Sequence, residues 1–259
     1  IIKLNGWKNL LATLFCFIPV FIGFIMPVIE LIRWAIAIDN NFSNNFISAS
    51  FNTLFLAVLA ALITSVIGLV LNFNARIENK KSSEEINNFV AMGYAVPGLI
   101  LAIGITQFLT YIDFILFNTG IIITGSLLGL IFAYVIKSYA LSNNVIQSSY
   151  KQFSIDLDDS AKTLGSTKRN ILLNIHVPLL KTGLITSFLL VVSEVVKELP
   201  ATLILRPFNF DTLAVNVYLL ASEERMYEAA FPALFIIFIG LIPIYFLSKM
   251  IDHSRIVNE

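Results

Sequence analysis

Charged side chains are scarce in this sequence, and so are cysteine and histidine. Only 13% of the residues are Asp, Glu, Lys or Arg, against 57% that are hydrophobic, and the mean hydropathy is +0.83. This composition excludes an ordinary water-soluble domain, because the chain is too apolar to use water as its main solvent. An integral membrane protein is predicted.

Other absences exclude particular kinds of chemistry. Cys16 is the single cysteine, so no disulfide can form within the chain. His176 and His253 have no neighbour at the spacing of metal ligands, and both are interpreted as structural or solvated. The sequence contains no Gly-x-x-x-x-Gly-Lys-Ser/Thr phosphate loop. It also shows no Ser-His or Asp-Asp pair within facing apolar segments, so we assign no catalytic residue.

Long apolar runs are abundant instead. A helix needs about 20 mostly apolar residues to cross the roughly 30 Å hydrocarbon layer. Six candidates run from Leu10 to Leu31, Asn52 to Leu71, Phe89 to Leu109, Ile121 to Tyr139, Leu184 to Leu199 and Phe231 to Leu247. The sequence therefore predicts an all-α polytopic membrane protein with six transmembrane helices.

Glycine and proline mark two features of these apolar segments. Pro97-Gly98 interrupts the third segment, and we interpret it as a kink that improves packing, with a pore-lining break as the alternative. Gly125 and Gly129 predict a GxxxG ridge in the fourth segment that lets another helix approach closely.

Basic residues orient the chain, because lysine and arginine favour cytoplasmic loops. When alternate loops are assigned to one side, that side holds Lys3, Lys8, Arg76, Lys80, Lys81, Lys137, Lys151, Lys162, Lys168, Arg169, Lys181, Lys249 and Arg255. The other side holds only Arg33, Arg206 and Arg225. Both termini and the polar stretch near residues 150–180 are therefore predicted to be cytoplasmic.

That polar stretch carries two sets of helix-end signals. Ser154 can cap a first helix, and Gly165 can end it with a positive φ. Ser166 or Thr167 can then cap a second helix that ends before Pro178. A helix-turn-helix is predicted, and an amphipathic connector lying on the membrane surface is the alternative.

Within the first of these helices, Leu157, Ala161 and Leu164 are predicted to form an apolar face. Ala161 and Gly165 are four residues apart and should leave a shallow surface for another backbone. Such a surface suits docking into a groove on a soluble partner.

The spacing within this stretch resembles a known pattern. Asp159-Ser160-Ala161 is followed by three residues, then Gly165, nine residues and Ile175-His176-Val177-Pro178. This resembles the Glu-Ala-Ala ("EAA") loop of binding-protein-dependent ABC importer permeases, with Asp159, Ser160 and Val177 as departures from the pattern. The resemblance implies a type I permease whose Asp159, Ser160, Ala161, Gly165, Ile175 and Pro178 belong to a loop that docks on an ABC ATPase dimer. It also implies that ATP and Mg are bound by that ATPase and that this chain binds no cofactor.

A second stretch resembles ferric-iron importer permeases more narrowly. Lys197-Glu198-Leu199-Pro200-Ala201-Thr202 and Arg206-Pro207, with Phe210-Asp211-Thr212-Leu213-Ala214, match segments that recur in that family. The resemblance implies Fe(III) as the cargo, passed on by a periplasmic iron-binding protein.

Two glutamates are candidates for the path of such a cargo. Glu194 and Glu198 are one helical turn apart, and carboxylate oxygens suit a hard cation. Transient metal contact is therefore predicted at both, with Lys197 neutralising one of them in the absence of metal. A structural charge cluster is the equal alternative. Arg206 and Asp211 flank an exterior turn and could receive the binding protein or brace the loop.

Residues 1–259 are thus interpreted as one permease domain of a bacterial inner membrane, with a core at about 50–249 and a coupling loop at about 150–180. Because the chain opens with Ile1 instead of Met, we interpret it as the C-terminal half of a fused permease that needs a second half. Membrane lipid is an expected partner, and no nucleic-acid partner is expected. The alternatives are the same permease class importing thiamine, a polyamine or an oxyanion, or a membrane scaffold or intramembrane enzyme without an ATPase.

Overall fold

The computed structural model describes residues 6–37, 44–78, 81–116 and 122–256, and none of these residues lies in a β-strand. The all-α prediction is confirmed. The α-helices are α1 (Trp7–Val20), α2 (Met26–Ala37), α3 (Asn44–Glu78), α4 (Lys81–Ala91), α5 (Gly98–Ile115), α6 (Leu127–Tyr150), α7 (Asp156–Thr163), α8 (Lys168–Asn170), α9 (Val177–Leu179), α10 (Lys181–Val196), α11 (Pro200–Leu205), α12 (Leu213–Ser222) and α13 (Met226–Ile256). Two π-helical segments, Phe21–Ile25 and Ile171–His176, join α1 to α2 and α8 to α9.

Four helical stretches among the described residues are long and apolar enough to cross a membrane, and a bent pair of helices gives a fifth if it is counted as one span. The four are α1 with α2, α3, α5 and α13, and the bent pair changes direction by 74° between α9 and α10. Helix α6 corresponds to the predicted fourth span, but Lys137 and several Ser and Asn residues make it less apolar. The count of six therefore stays a prediction. Residues 38–43, between the first two predicted spans, and 117–120, between the third and the fourth, lie outside the described ranges.

The third apolar segment is broken at Pro97. Helix α4 and a short 3-10 turn end at Ala95, after which Val96 and Pro97 have extended backbone with ψ of 128° and 134°. Helix α5 then begins at Gly98. The predicted kink is instead a full break, because two consecutive residues leave helical geometry, and a pore-lining role for this break stays a prediction.

The fifth apolar segment also differs from its prediction. The π-helical segment and α9 continue through Pro178, so the second helix of the polar stretch does not end before that residue. The chain bends after Leu179, and α10 ends at Val196 instead of Leu199. Pro200 then starts α11, where its missing N–H removes no helical hydrogen bond.

Small residues let α3, α6 and α10 pack closely together. Ala57, Ala60 and Ala61 of α3 are completely buried. At Gly183 of α10, a Cβ atom would lie 2.1 Å from the Oγ and 2.8 Å from the Cβ of Ser149 on α6. Such contacts require glycine and bring the two helix backbones together.

The predicted GxxxG ridge does not form on one helix. Gly125 lies before α6 and has a φ of +72°, whereas Gly129 lies within α6. A Cβ atom at Gly129 would lie 2.7 Å from Cδ1 of Leu109 on α5, so only this glycine serves a helix contact.

Buried hydrogen bonds fix the register of the same helices. Ser187 of α10 donates to Ser142 of α6 across 2.7 Å. Asn72 of α3 donates to Asn143 of α6 across 2.8 Å, and Asn87 of α4 donates to Asn72 across 3.1 Å. Polar groups in apolar surroundings are costly without partners, so these bonds favour one alignment of the four helices.

Replacing Gly183 by Ala should destabilise the protein by about 1–3 kcal/mol, because the added methyl group must push α10 away from α6. Thermal unfolding in detergent would measure the loss. Gly240→Ala is the matched control, since no atom outside its own helix lies within 4 Å of a Cβ there. Adding Ser149→Gly should restore much of the stability. Equal losses in the two alanine variants would contradict the packing argument.

Candidate functional site

The polar stretch forms a compact helical elbow, here defined as residues 154–180. Helix α7 begins after Ile155, so the predicted cap Ser154 lies one position too early. Its hydroxyl still accepts a hydrogen bond from the N–H of Asp156 across 3.2 Å. The first corner of the elbow is therefore fixed locally, by a side chain next to the helix end.

Gly165 ends α7 as predicted. Its φ is +80°, its N–H donates to the carbonyl of Lys162, and the N–H of Ser166 donates to the carbonyl of Ala161. This pair of bonds is the Schellman motif, in which a left-handed residue closes a helix. Thr167 then caps α8 by accepting from the N–H of Asn170 across 3.4 Å, which confirms the second predicted cap.

The residues of the recognised spacing divide between two environments. Asp159, Ser160 and Gly165 are exposed, and no atom lies within 4 Å of a Cβ built at Gly165. Ala161 is instead buried against Phe73 of α3 and Ile171. The predicted open surface at Ala161 is therefore wrong, because this methyl group packs inside the protein.

Of the two remaining pattern residues, one supports that packing. Ile175 is partly buried against the same small core, whereas Pro178 is exposed. Of the predicted apolar face of α7, both leucines are exposed, Leu157 by 44% and Leu164 by 86%. The edge available for docking thus runs along Asp159, Ser160, Leu164 and Gly165.

A buried charge network, which the sequence analysis missed, holds the elbow against the long helices. Nε of Arg76, on α3, lies 2.6 Å from Oδ2 of Asp158, whose side chain is 2% exposed. The same guanidinium donates to the carbonyl groups of Tyr150, Phe153 and Ser154 at and beyond the end of α6. One side chain therefore joins α3, the end of α6 and α7.

His176 completes this network. Its Nε2 lies 2.5 Å from Oδ1 of Asp158, and its Nδ1 lies 3.1 Å from the hydroxyl of Tyr150. Phe73 packs edge-on against the imidazole. The interpretation of His176 as structural is supported, and this residue links the π-helical segment to α6 and α7.

Asp158 is held ionised by its partners. Burial opposes its charge, but hydrogen bonds from Arg76 and His176 outweigh that effect and lower the pKa of Asp158 below its usual value of 3.8. A carboxyl with a lowered pKa stabilises the fold above its unfolded-state pKa and loses that contribution as pH falls through its folded-state pKa. The carboxylate of Asp158 therefore keeps its charge at neutral pH.

The two glutamates proposed for the cargo path lie in different ion pairs. Because α10 ends at Val196, Glu194 and Glu198 do not share one continuous helical face. Glu194 pairs with Lys197 across 2.9 Å, and this lysine is 62% exposed. Glu198 is 6% exposed and pairs with Lys137 of α6. The one-turn argument for a shared cavity is thus wrong.

The expectation that Lys137 lies in a cytoplasmic loop is also wrong. It lies within α6, and its side chain is 16% exposed. The second oxygen of Glu198 accepts from the N–H of Ala201 across 3.2 Å. Next to this pair, the hydroxyl groups of Tyr134 and Thr202 are 2.6 Å apart.

The break before α5 packs over the same ion pair. A Cβ atom at Gly98 would lie 3.0 Å from Nζ of Lys137 and 3.1 Å from Oε1 of Glu198. Within the described part of the chain, no three His, Cys, Asp or Glu side chains cluster closely enough to hold a metal ion. Any metal contact at Glu194 or Glu198 would need further ligands from elsewhere.

The turn between α11 and α12 contains the remaining predicted residues. Arg206 and Asp211 form an ion pair with each other across this turn. Asn209 has a φ of 58°, and the side chain of Phe208 between them is completely exposed. Arg206 and Asp211 therefore brace the turn, and contact with a binding protein stays a prediction.

Comparison with known proteins agrees with this architecture. Residues 73–256 match the family described as the inner membrane component of binding-protein-dependent transport systems. An Fe(3+)-transport system permease protein of Haemophilus influenzae is 28% identical over 229 residues, covering 86% of this chain and 44% of that protein. A probable transport system permease protein of Clostridium pasteurianum is 25% identical over 210 residues, covering 76% of the chain and 72% of that protein. The chain thus spans less than half the length of the iron-transport relative.

Two solved structures share the fold. A bacterial ABC transporter involved in the import of the acidic polysaccharide alginate has a TM-score of 0.70 and 17% identity, over 98% of this chain and 96% of that chain. The alginate transporter in complex with a pentasaccharide-bound periplasmic protein has a TM-score of 0.71 and 18% identity, over 97% and 95%. At these identities the likeness concerns the fold alone.

Arg76→Met should destabilise the protein by about 3–5 kcal/mol, because it leaves the buried carboxylate of Asp158 without its cationic partner. Thermal unfolding would measure the loss, and protease sensitivity should rise first at the elbow. Arg169→Met is the control, since Arg169 is exposed on α8. The double variant Arg76→Met, Asp158→Leu should lose less than the single one. A single variant as stable as the control would show that the network does not anchor the elbow.

Proposed function

Because the chain belongs to the family of inner membrane components of binding-protein-dependent transport systems, we propose that it is a permease of an ATP-driven importer for Fe(III). Members of this family are transport permeases, so the chain's role is passage and not catalysis. The observation that carries the proposal is the elbow, which exposes Asp159, Ser160 and Gly165 while Arg76 and Asp158 tie it to the membrane helices.

In this proposal the elbow lies on the cytoplasmic side and docks on a partner ATPase. The open space at Gly165 and the exposed side chain of Leu164 suit insertion into a groove. ATP and Mg would be bound by that ATPase. Movement of the docked edge would reach α3 and α6 through Arg76, because its guanidinium contacts all three parts directly.

Iron as the cargo is supported by the 28% identity to an Fe(3+)-transport permease and by the buried carboxylate of Glu198. Fe(III) is a hard cation that prefers oxygen ligands. Glu194 and Glu198 are the proposed contacts along its path, and each is neutralised by a lysine between transport events. A second permease half and a periplasmic iron-binding protein would complete the importer, with the braced turn of Arg206 and Asp211 facing the latter.

A second candidate keeps the permease and changes the cargo. The solved structures with the same fold belong to an importer of an acidic polysaccharide, so this fold does not by itself determine what is carried. Uptake of radioactive iron by vesicles holding the complete importer, measured beside thiamine, a polyamine and sulfate, tests the cargo. ATP-dependent accumulation of another solute without iron would overturn the iron assignment.

Gly165→Asp should abolish ATP-driven uptake while the protein still inserts, since aspartate tolerates the φ of +80° but its carboxylate obstructs docking at this exposed turn. Gly165→Asn is the matched control, because asparagine tolerates this backbone and carries no charge. It should retain more uptake than the aspartate variant. Normal ATPase stimulation by the binding protein in Gly165→Asp would refute the docking role.

A further inference from the structure

Glu198 holds its two carboxylate oxygens in different ways. Oε1 accepts from the backbone N–H of Ala201, which fixes it at the start of α11. Oε2 faces the ammonium of Lys137, which reaches it from another helix, α6. The first contact is local and belongs to the turn itself. The second joins separate helices, so it can be exchanged without unfolding the turn.

The surroundings suit a point of exchange. Two helix breaks meet at this pair, one before Gly98 and one between Val196 and Pro200. A Cβ atom at Gly98 would lie 3.0 Å from Nζ of Lys137 and 3.1 Å from Oε1 of Glu198, so the missing side chain leaves room for both charged groups. Broken helices place polar backbone beside cavities in membrane transporters, and charges inside the bilayer are retained where they serve a pathway.

A buried ion pair is also a poor device for stability alone. An apolar pair of similar volume is often as stabilising or more so, because both charges lose their hydration. Tyr134 and Thr202 already connect α6 to α11 by a hydrogen bond, so the connection does not depend on charge. The charges of Lys137 and Glu198 therefore require an explanation other than holding α6 and α11 together.

We propose that Lys137 is a tethered cation that occupies Glu198 between transport events and is displaced by a multivalent cation in transit. The proposal rests on the import of a cation proposed above. It makes Lys137 a specificity-determining residue, because it decides which ions gain access to the one exchangeable oxygen of Glu198.

Because Lys137 is tethered next to Glu198, only an ion of higher charge than its ammonium can displace it. A group held in place by a short linker acts at an effective concentration of the order of millimolar or higher. A free monovalent ion has the same charge as the ammonium, so it must exceed that effective concentration to replace Lys137 at Glu198. A trivalent ion attracts the carboxylate about three times as strongly at equal distance. Since one carboxylate oxygen cannot replace a hydration shell, the passing ion must keep its other oxygen ligands.

The test measures the exposure of the Lys137 amine directly. The complete importer, turning over ATP, is treated with an amine-acylating reagent, and acylation of each lysine is quantified by mass spectrometry. La(III) serves as a trivalent probe and Na(I) as a monovalent one at equal concentration. Lys181, which is exposed at the start of α10, is the internal reference.

La(III) should raise acylation of Lys137 severalfold relative to Lys181, and Na(I) should not. In Glu198→Gln, Lys137 should be acylated readily without La(III) and respond no further. Glu198→Asp keeps the carboxylate and should keep the La(III) response, which separates exchange from loss of folding. Acylation of Lys137 that is the same with both ions in the unmodified protein overturns the proposal.

Iron uptake by the same preparations distinguishes this proposal from the proposed function. A La(III) response without iron uptake would support exchange at Glu198 and overturn iron as the cargo. Iron uptake without a response of Lys137 would leave the cargo assignment standing and overturn the exchange.

Discussion

The guanidinium of Arg76 joins parts of the chain that are far apart in sequence. It pairs with Asp158, 82 residues later, and it also bonds the carbonyl groups of Tyr150, Phe153 and Ser154. Carbonyl groups at a helix end have no partner within the helix. The side chain that neutralises Asp158 therefore also supplies a donor for the last carbonyl group of α6, that of Tyr150. The elbow is consequently joined to α3 and α6 through one largely buried side chain.

The break between α10 and α11 also joins separate parts of the chain through a buried charged side chain. In apolar surroundings, every backbone group released at a break needs a new partner. Glu198 supplies one for the N–H of Ala201, and its remaining charge is neutralised by Lys137 on the neighbouring helix. The place where α10 ends is therefore also the place where a carboxylate can remain buried. The end of α10 and the buried carboxylate of Glu198 therefore have one physical cause, the interruption of the helix that leaves the N–H of Ala201 free to bond the carboxylate.

The sequence predicted those features that depend on neighbouring residues. Gly165 and Thr167 end and start helices through bonds to residues within five positions, so their roles could be recognised directly. The partners of Arg76 and Lys137 could not, since each lies on a different element and the charge pattern gives no hint of burial.

Glu194 and Glu198 show the same limit in another form. Two residues one turn apart share a face only while the helix continues. Pro200 indicates that α10 ends nearby, but it does not show that the helix ends at Val196. Likewise, Ala161 fitted an exposed pattern by spacing, but only the approach of Phe73 from α3 shows that it is buried.

The polar character of α6 has a consequence for how the protein is made. A lysine near the centre of a helix opposes its insertion into the bilayer by about 3 kcal/mol, and α6 carries Lys137 together with Ser142 and Asn143. The partners of these residues lie on α3, which is synthesised earlier, and on α10 and the turn after it, which are synthesised later. Until the ribosome has synthesised Glu198, Lys137 of α6 therefore lacks the carboxylate that neutralises it in the folded protein.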